Sequence, residues 1–548
     1  MKRSVFLFIA GVCLMLLRAG TAEAQLLATG VQGDRTAPIV DGIAPVTSQN
    51  TWRDPLTGVW RVGLAPDPSR LRQPVVDPAS AAPAMGMLRR LYAQGRAAGL
   101  ATTLYDNRDR DHSPLSPTAF PQLSHTAYSQ DLSAMNLDYN WAGGILFPLA
   151  VIGNSSTARV SGPLARSLGR ISMGGQINAE RSYELYAHNH SYVYPEHRDH
   201  DPNTGDRFFA NAPYFLMSQG SSYSDKPFVT ALALIYASYT PETRARLDES
   251  GLLASVTQMV LRRSLSGIQT PQDYLSPRAH PVVFDKSQLR PAAMVGLANA
   301  IMPDAIPPMV KLKVESEFPV EAGRDYLADN LDEVIFTTPS AIARAWRSFA
   351  YSRSMSISAS ETVDPNGRPL TFHWVILQGD PQRIDIQVRD SGDSADIRVD
   401  WQGAIPSSTG ANMMSSRVDI GVFADNGVWI SAPAIVSISF PVFQNRIYEG
   451  QDGATPRLVS LDYVVDPDDI YADPTLWPTA DWDDTITYDP NGAISQIVRT
   501  FPDGQTQTLT MGLADFIRNQ TFGVPDRIRH SSTRAPKGQL RLDAHVVD

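Results

Sequence analysis

The chain has 548 residues, 43% of them from the apolar set AVILMFWYC and 19% charged, so it holds enough apolar material for more than one core. Glycine (37) and proline (41) are too few for a collagen-like or low-complexity chain. Lysine plus arginine (47) against aspartate plus glutamate (57) leaves −10, and that acidity excludes sequence-independent nucleic-acid binding, which rests on basic patches.

The N-terminus has the pattern of an export signal. Lys2 and Arg3 precede an apolar run from Val5 to Leu17, Arg18 closes it, and Ala22-Glu23-Ala24 supplies the small-x-small pattern of signal peptidase. The run is too short for a resident membrane helix. Residues 1–24 are therefore expected to be a signal peptide cleaved after Ala24. Cleavage removes Cys13, the only cysteine, so the mature protein forms no internal disulfide. This combination points to a periplasmic or extracellular bacterial protein. No later apolar run is long enough to give the mature chain a transmembrane segment.

Residues 25–83 are rich in Pro, Gly, Asp, Ser and Thr, with Trp52 and Trp60 embedded, and read as extended chain. Met87, Leu88, Leu91 and Tyr92 have helical spacing. Between Tyr105 and Pro121 the chain turns polar and irregular, gathering Asp106, Arg108, Asp109, Arg110, Asp111 and His112. Residues 146–152 form a short apolar run, expected to be a buried strand ending at Gly153-Asn154-Ser155-Ser156. From Ser182 to Tyr194 the sequence alternates. It predicts a strand with Glu184, Tyr186, His188, His190, Tyr192 and Tyr194 on one face. Phe228 to Tyr239 is apolar nearly all round and predicts a buried helix, after which Thr240-Pro241 signals a helix restart. Residues 25–305 thus read as one mixed α/β or α+β domain, the candidate catalytic or ligand-binding unit.

After Pro307-Pro308 the apolar period becomes two, apart from a stretch of helix formers at Ser340 to Trp346 that predicts a short helix. Asn426-Gly427 between two alternating runs is a strong hairpin signal. Several short strands at this spacing argue for an antiparallel β-sandwich over residues 306–445. Asp364-Pro365-Asn366-Gly367 followed by Leu370-Thr371-Phe372-His373-Trp374 resembles the turn and strand of PKD and cadherin-like immunoglobulin-fold modules. The resemblance implies an extracellular spacer or binding module, with Trp374 in its core, and no chemistry of its own. Residues 446–548 read as a small β-rich tail with hairpins around Asp489-Pro490-Asn491-Gly492 and Pro502-Asp503-Gly504, and a frayed end from 525.

The candidate chemistry lies in the first domain. Of ten histidines, four fall between positions 188 and 200: His188, His190, His197 and His200, interleaved with Glu196, Asp199 and Asp201. On a strand, His188 and His190 would share a face about 6.6 Å apart and could converge on one ion. His197, Asp199 and Asp201 could complete a set for a divalent metal, zinc first and calcium second, with Glu196 and His200 as acid–base partners. The same face could equally be a hydrogen-bond network or a sugar-stacking surface. A second candidate is the loop Gly220-Ser221-Ser222-Tyr223-Ser224, which is similar to a nucleophile elbow except that Ser224 stands where glycine is required. Its plainer reading is a helix cap by Ser224 or Asp225. His280 in a Pro-flanked loop is a third acid–base candidate. The expectation is an exported hydrolase acting on a polymeric or envelope substrate through the His/Asp/Glu cluster. Its rivals are a non-enzymatic binding or adhesion protein that recognises polysaccharide or protein, and a serine hydrolase using Ser221 or Ser222.

Overall fold

The computed structural model describes residues 35–548 except 111, 158–167, 204, 409–411, 442–443, 451–454, 464–475, 513–515, 519–523, 536–538 and 548. The expected signal peptide lies outside the described residues.

Six parallel strands centre the first domain: β1 (Ile43–Val46), β2 (Thr103–Asn107), β3 (Ser124–Tyr128), β4 (Ala150–Asn154), β5 (His190–Pro195) and β6 (Phe215–Ser218). Their spatial order is β1-β3-β2-β4-β5-β6. Every residue of β4, β5 and β6 is buried, because a parallel sheet carries helices on both faces. Alternate residues serve the two sides. Tyr105, Ile152, Val193 and Leu216 join helices α1 (Pro83–Ala93), α3 (Lys226–Ser238), α5 (Leu253–Arg263) and α6 (Pro291–Ala300). Leu104, Val151, Tyr192 and Phe215 pack with Ala179 and Leu185 of α2 (Gln176–Ala187) on the other. The expected restart is present: Thr240 accepts from the Thr243 N–H at 3.2 Å and opens α4 (Pro241–Ser250), which closes at left-handed Gly251.

The expected strand from Ser182 to Tyr194 is corrected. Its first half is the end of α2, the chain reverses at His188 and left-handed Asn189 (φ 65°), and β5 begins only at His190. Buried Ala179, Ser182, Leu185 and Tyr186 recur with helical spacing, and the apparent alternation runs across the helix–strand junction.

Two sheets follow. One orders β7 (Lys313–Glu317), β10 (Ser352–Ser358), β13 (Ser394–Asp400) and β12 (Ile384–Val388) as β7-β10-β13-β12, all antiparallel. The other is β8-β9-β15-β14-β11, built from β8 (Val334–Thr338), β9 (Ala341–Ala345), β11 (Thr371–Gln378), β14 (Arg417–Asp425) and β15 (Ala434–Ser439). Its β9 and β15 are parallel and the other pairs antiparallel. Ile342, Val418, Val436 and Ile438 of this sheet share one core with Met355, Ile357, Ile397 and Val399 of the other. The helix expected over Ser340 to Trp346 is strand β9. Ala-Ile-Ala-Arg-Ala favours helix intrinsically, but five residues inserted between two strands take their conformation from the sheet. Trp374 is only half-buried at the margin of this core, whereas Trp346 is fully buried within it.

Strands β9 and β15 are buried at every position because the reverse face of their sheet packs on the α/β domain. Ala341 and Ala343 enter the same cluster as Leu104 and Tyr192, and the Ser439 hydroxyl donates to the Phe209 carbonyl at 2.7 Å. The reverse face of the second sheet therefore packs on both cores of the α/β domain, Ala341 and Ala343 on the α2 side and Leu377 and Phe423 on the side of α3 and α5.

The last region is an eight-stranded antiparallel meander, curled on itself. It comprises β16 (Gln444–Glu449), β17 (Arg457–Tyr463), β18 (Asp483–Tyr488), β19 (Ile494–Thr500), β20 (Thr506–Met511), β21 (Phe516–Arg518), β22 (Asp526–Arg534) and β23 (Leu540–Val547), in chain order. Both expected hairpins lie in it. The frayed end expected from 525 is corrected: β22 and β23 pair over eight residue pairs, and Ile528 and Leu542 alternate into the core. The surrounding residues are polar because the opposite face of each strand meets solvent.

Candidate functional site

The chain runs from β2 to β3 on one side and then crosses to β4 on the other. The sheet therefore has its topological switch between the carboxyl ends of β2 and β4, where open α/β sheets form a crevice. Three loops meet there: the one after β2 that carries Arg108, Asp109, His112 and Ser113, Ser155–Thr157 after β4 and Gln219–Asp225 after β6.

The floor is a buried polar network. Asp106 accepts hydroxyls from Tyr192 (2.7 Å), Tyr128 (2.9 Å) and Thr126 (2.9 Å), and Arg108 lies 3.6 Å away, itself donating to the Asn140 and Tyr139 carbonyls. Gly153 makes this approach possible: a Cβ there would stand 2.2 Å from the Tyr192 ring. Burial, with the Asp106 charge adding to it, pushes the Tyr128 and Tyr192 hydroxyls well above the ordinary phenol range.

Above the floor, Asp109 is fully buried and accepts from the Ser156 N–H at 3.0 Å and from the hydroxyls of Ser156 and Thr157. Nδ1 of His112, whose side chain is 52% exposed, bonds the Asp109 backbone carbonyl at 3.3 Å and lies 3.7 Å from Asp109 Oδ1. The outer imidazole nitrogen is thus turned away from the carboxylate, and the ring meets Tyr223 edge-to-face with centroids 6.1 Å apart. Asp225 heads α3 without capping it. The cap expected of it is absent because its carboxylate accepts instead from Ser113 Oγ (2.7 Å) and Asn154 Nδ2 (2.6 Å). Burial raises the Asp225 carboxyl, and those two donors pull it back.

This edge also concentrates backbone strain. Arg110, Ser113, His197, Arg198 and Tyr223 all have positive φ, half of the ten such non-glycine residues among those described. Each costs about 1–3 kcal/mol, and such conformations cluster where function over-determines the chain.

The sequence-expected residues divide. His188 is exposed at the end of α2, with Nδ1 on the Glu184 carbonyl at 2.7 Å. His190 is buried; its Nδ1–H donates to the His188 carbonyl (2.6 Å) and its Nε2 accepts from the Phe147 N–H (3.1 Å). Both imidazole nitrogens are committed, and burial lowers its pKa to about 3. The shared ligand face expected for this pair is therefore absent. Asp199 pairs with buried Arg170 at 3.1 Å, and Asp201 holds the turn at Asn203. His200 and Asp201 form a small hairpin with Gly205–Asp206, which pairs with Met414–Ser415 of the second region. Among the described residues, no group of three or more His, Cys, Asp or Glu side chains could hold a metal ion.

Glu196 and His197 do reach the crevice edge. The His197 Nε2–H donates to the Ser156 carbonyl at 2.6 Å. Buried Glu196 accepts from the Gly220 N–H (2.8 Å) and the His200 N–H (3.3 Å), and burial together with the Asp199 charge pushes its carboxyl up to about 7. Ser221 and Ser222 are exposed on the loop beside Tyr223. His280 is buried between Tyr274 and Phe423, with Nε2 on the Tyr274 carbonyl; burial holds it neutral, which removes it as a solvent-facing acid or base. Sequence reasoning missed Asp109, His112, Ser156, Thr157 and Asp225. The one available signal was the acidic, irregular stretch directly after an apolar strand.

Neither a protein-family model nor a curated protein matches the chain. Among solved structures it is similar to one described as a nucleoside hydrolase-related hypothetical protein from Saccharophagus degradans that is associated with carbohydrate metabolism. The likeness is at 10% identity, over 48% of this chain and 68% of that one, with a TM-score of 0.18. A likeness at that level bears on neither fold nor activity. No helix among the described residues is long and apolar enough to cross a membrane.

Proposed function

We propose that the protein is an exported hydrolase acting on a polymeric or envelope substrate, with its reaction centre at the switch between β2 and β4. The observation that carries this reading is the exposed His112 imidazole at the switch, its inner nitrogen held on the Asp109 carbonyl at 3.3 Å with the buried Asp109 carboxylate 3.7 Å away. In this arrangement the Asp109 carbonyl holds the inner nitrogen, while the outer nitrogen takes a proton from an attacking water and returns it to the leaving group. Tyr223 forms one wall, and Ser221 and Ser222 lie on the same loop. The reading requires none of the His188–Asp201 set. Processing after Ala24 belongs to the proposal, as does the PKD-like character of residues 306–445. The latter is supported by the Asp364–Gly367 turn: Asp364 accepts the Asn366 and Arg368 N–H groups, and Gly367 has φ 72°.

The test is hydrolysis of a chromogenic panel of p-nitrophenyl glycosides, acetate and phosphate by the intact mature protein. At least one class should turn over, and His112→Ala should lower kcat by about 100-fold or more. Loss in Ser221→Ala or Ser222→Ala with His112→Ala near wild type would transfer the chemistry to the serine loop. Inactivity across the panel would leave the binding-protein reading.

A further inference from the structure

A large cleft lies away from the parallel sheet, between the curled meander and the strands of the middle region. Its volume is about 1450 Å³. Small-molecule sites span about 300–1,000 Å³, so this one suits an extended ligand. One wall carries Phe318, 41% exposed, whose N–H is fixed on the Ser354 carbonyl (2.8 Å), and half-buried Tyr351, held edge-to-face against Tyr448. The opposite wall carries Tyr488, whose hydroxyl donates to the Leu458 carbonyl at 2.9 Å, and Arg457, with its guanidinium 5.3 Å from the Tyr488 ring. Gly492 on the neighbouring turn leaves room for that guanidinium: a Cβ there would stand 2.6 Å from it. At the rim Glu321 and Arg324 pair at 3.1 Å, both about two-thirds exposed.

Phe318, Tyr351 and Tyr488 therefore line the cleft beside side chains of both signs, the two tyrosines held by a ring contact and a hydroxyl bond. Mixed charge disfavours a polyanion or polycation, whereas guanidinium and carboxylate groups bond hydroxyls in pairs and ring faces stack on the C–H faces of sugars. Of the strands lining the cleft, β10 and β17 are each paired on both sides, which leaves an extended peptide only the edge of β16, where Glu449 lies. We infer that this cleft is a binding site for a neutral oligosaccharide chain, separate from the proposed reaction centre.

Cellohexaose, xylohexaose and maltohexaose, each titrated calorimetrically into the intact mature protein, test this. At least one should bind, and Phe318→Ala and Arg457→Ala, both at exposed positions, should each weaken it about tenfold or more without moving the melting temperature. His112→Ala should bind as wild type does, which keeps this outcome distinct from the fate of the hydrolase reading. No binding of any of the three at millimolar concentration would overturn the inference. So would affinity unchanged in both variants, or binding of heparin in place of all three neutral chains.

Discussion

The side-chain amide of Asn426 donates to the carboxylate of Asp364 across 2.9 Å, and its second hydrogen goes to the Ile306 carbonyl at 3.0 Å. Two turns far apart in sequence, both recognisable as turns from composition, are thus locked to each other and to the segment leaving the α/β domain. Asn426→Ala leaves a buried carboxylate oxygen and a carbonyl without their donor, and should cost about 1–3 kcal/mol in urea unfolding.

The packing of the second sheet on the α/β domain makes a further prediction about domain independence. Residues 306–445 look like a self-contained module in sequence, yet β9 and β15 are covered on both faces. A fragment of those residues should expose the face bearing Ala341, Ala343 and Phe423, and should aggregate or melt without cooperativity. The full chain should carry the sandwich and the α/β domain through one shared transition. Trp346→Ala, at a fully buried site, should destabilise by about 3–5 kcal/mol. A fragment that melts cooperatively would show the two cores to be independent.

Inside the meander Arg499 makes two bonds to Asp484 (2.9 and 3.1 Å), a third to His530, and stacks 3.9 Å over Trp482. Arg499→Met strands the Asp484 charge in a buried site and should cost about 3–5 kcal/mol. The double variant Arg499→Met with Asp484→Leu should recover much of that loss. Equal denaturation midpoints for the single and double variants would contradict a coupled pair.

Period-two and period-3.6 patterns located the sandwich strands, the buried helix α3 and the hairpins, because each of those segments keeps one environment along its length. They failed where an element changed environment. Ser182–Tyr194 spans a helix, a left-handed Asn189 and a buried strand; Ala341–Ala345 is helix-prone but pinned between partners. The site was hidden for a related reason. His188 and His190 are neighbours in sequence and their side chains serve the backbone, whereas Asp109, Asn154 and Asp225 meet only because β2, β4 and α3 converge at the switch. Strand order carries that information, and no local spacing encodes it.

Glu196 predicts a pH dependence of stability. Its folded value, about 7, lies above the ordinary 4.5, so between those pH values the folded protein holds this proton more tightly than the unfolded chain. The contribution is fully present below about pH 4.5 and is lost as pH rises through 7. Buried His190, lowered to about 3, works in the opposite direction: it is neutral when folded and costs stability as pH falls below about 6.5. The wild-type profile mixes the two, so the informative quantity is the difference between wild type and Glu196→Gln, measured by urea unfolding from pH 5 to 8. That difference should fall from pH 5 to about 7 and level off above it. A flat difference would mean that Glu196 is already ionised at pH 5.

Tyr223 offers the sharpest separation of structure from function. A bulky residue at φ 73° is strained, and this ring is 58% exposed, so little burial compensates for it. A glycine adopts that backbone freely. Tyr223→Gly should therefore raise stability by about 1 kcal/mol if the residue has only a structural place. If the ring is a wall of the reaction centre beside His112, the same substitution should also raise KM on whichever p-nitrophenyl substrate the wild type accepts, with a smaller effect on kcat, since the ring contacts substrate rather than the transferred proton. His112→Ala should show the converse pattern, a loss confined mainly to kcat. A Tyr223→Gly protein that is more stable and kinetically unchanged would remove the tyrosine from the site while leaving the His112–Asp109 pair in place. One that is less stable would show that the ring packs more firmly than its exposure implies.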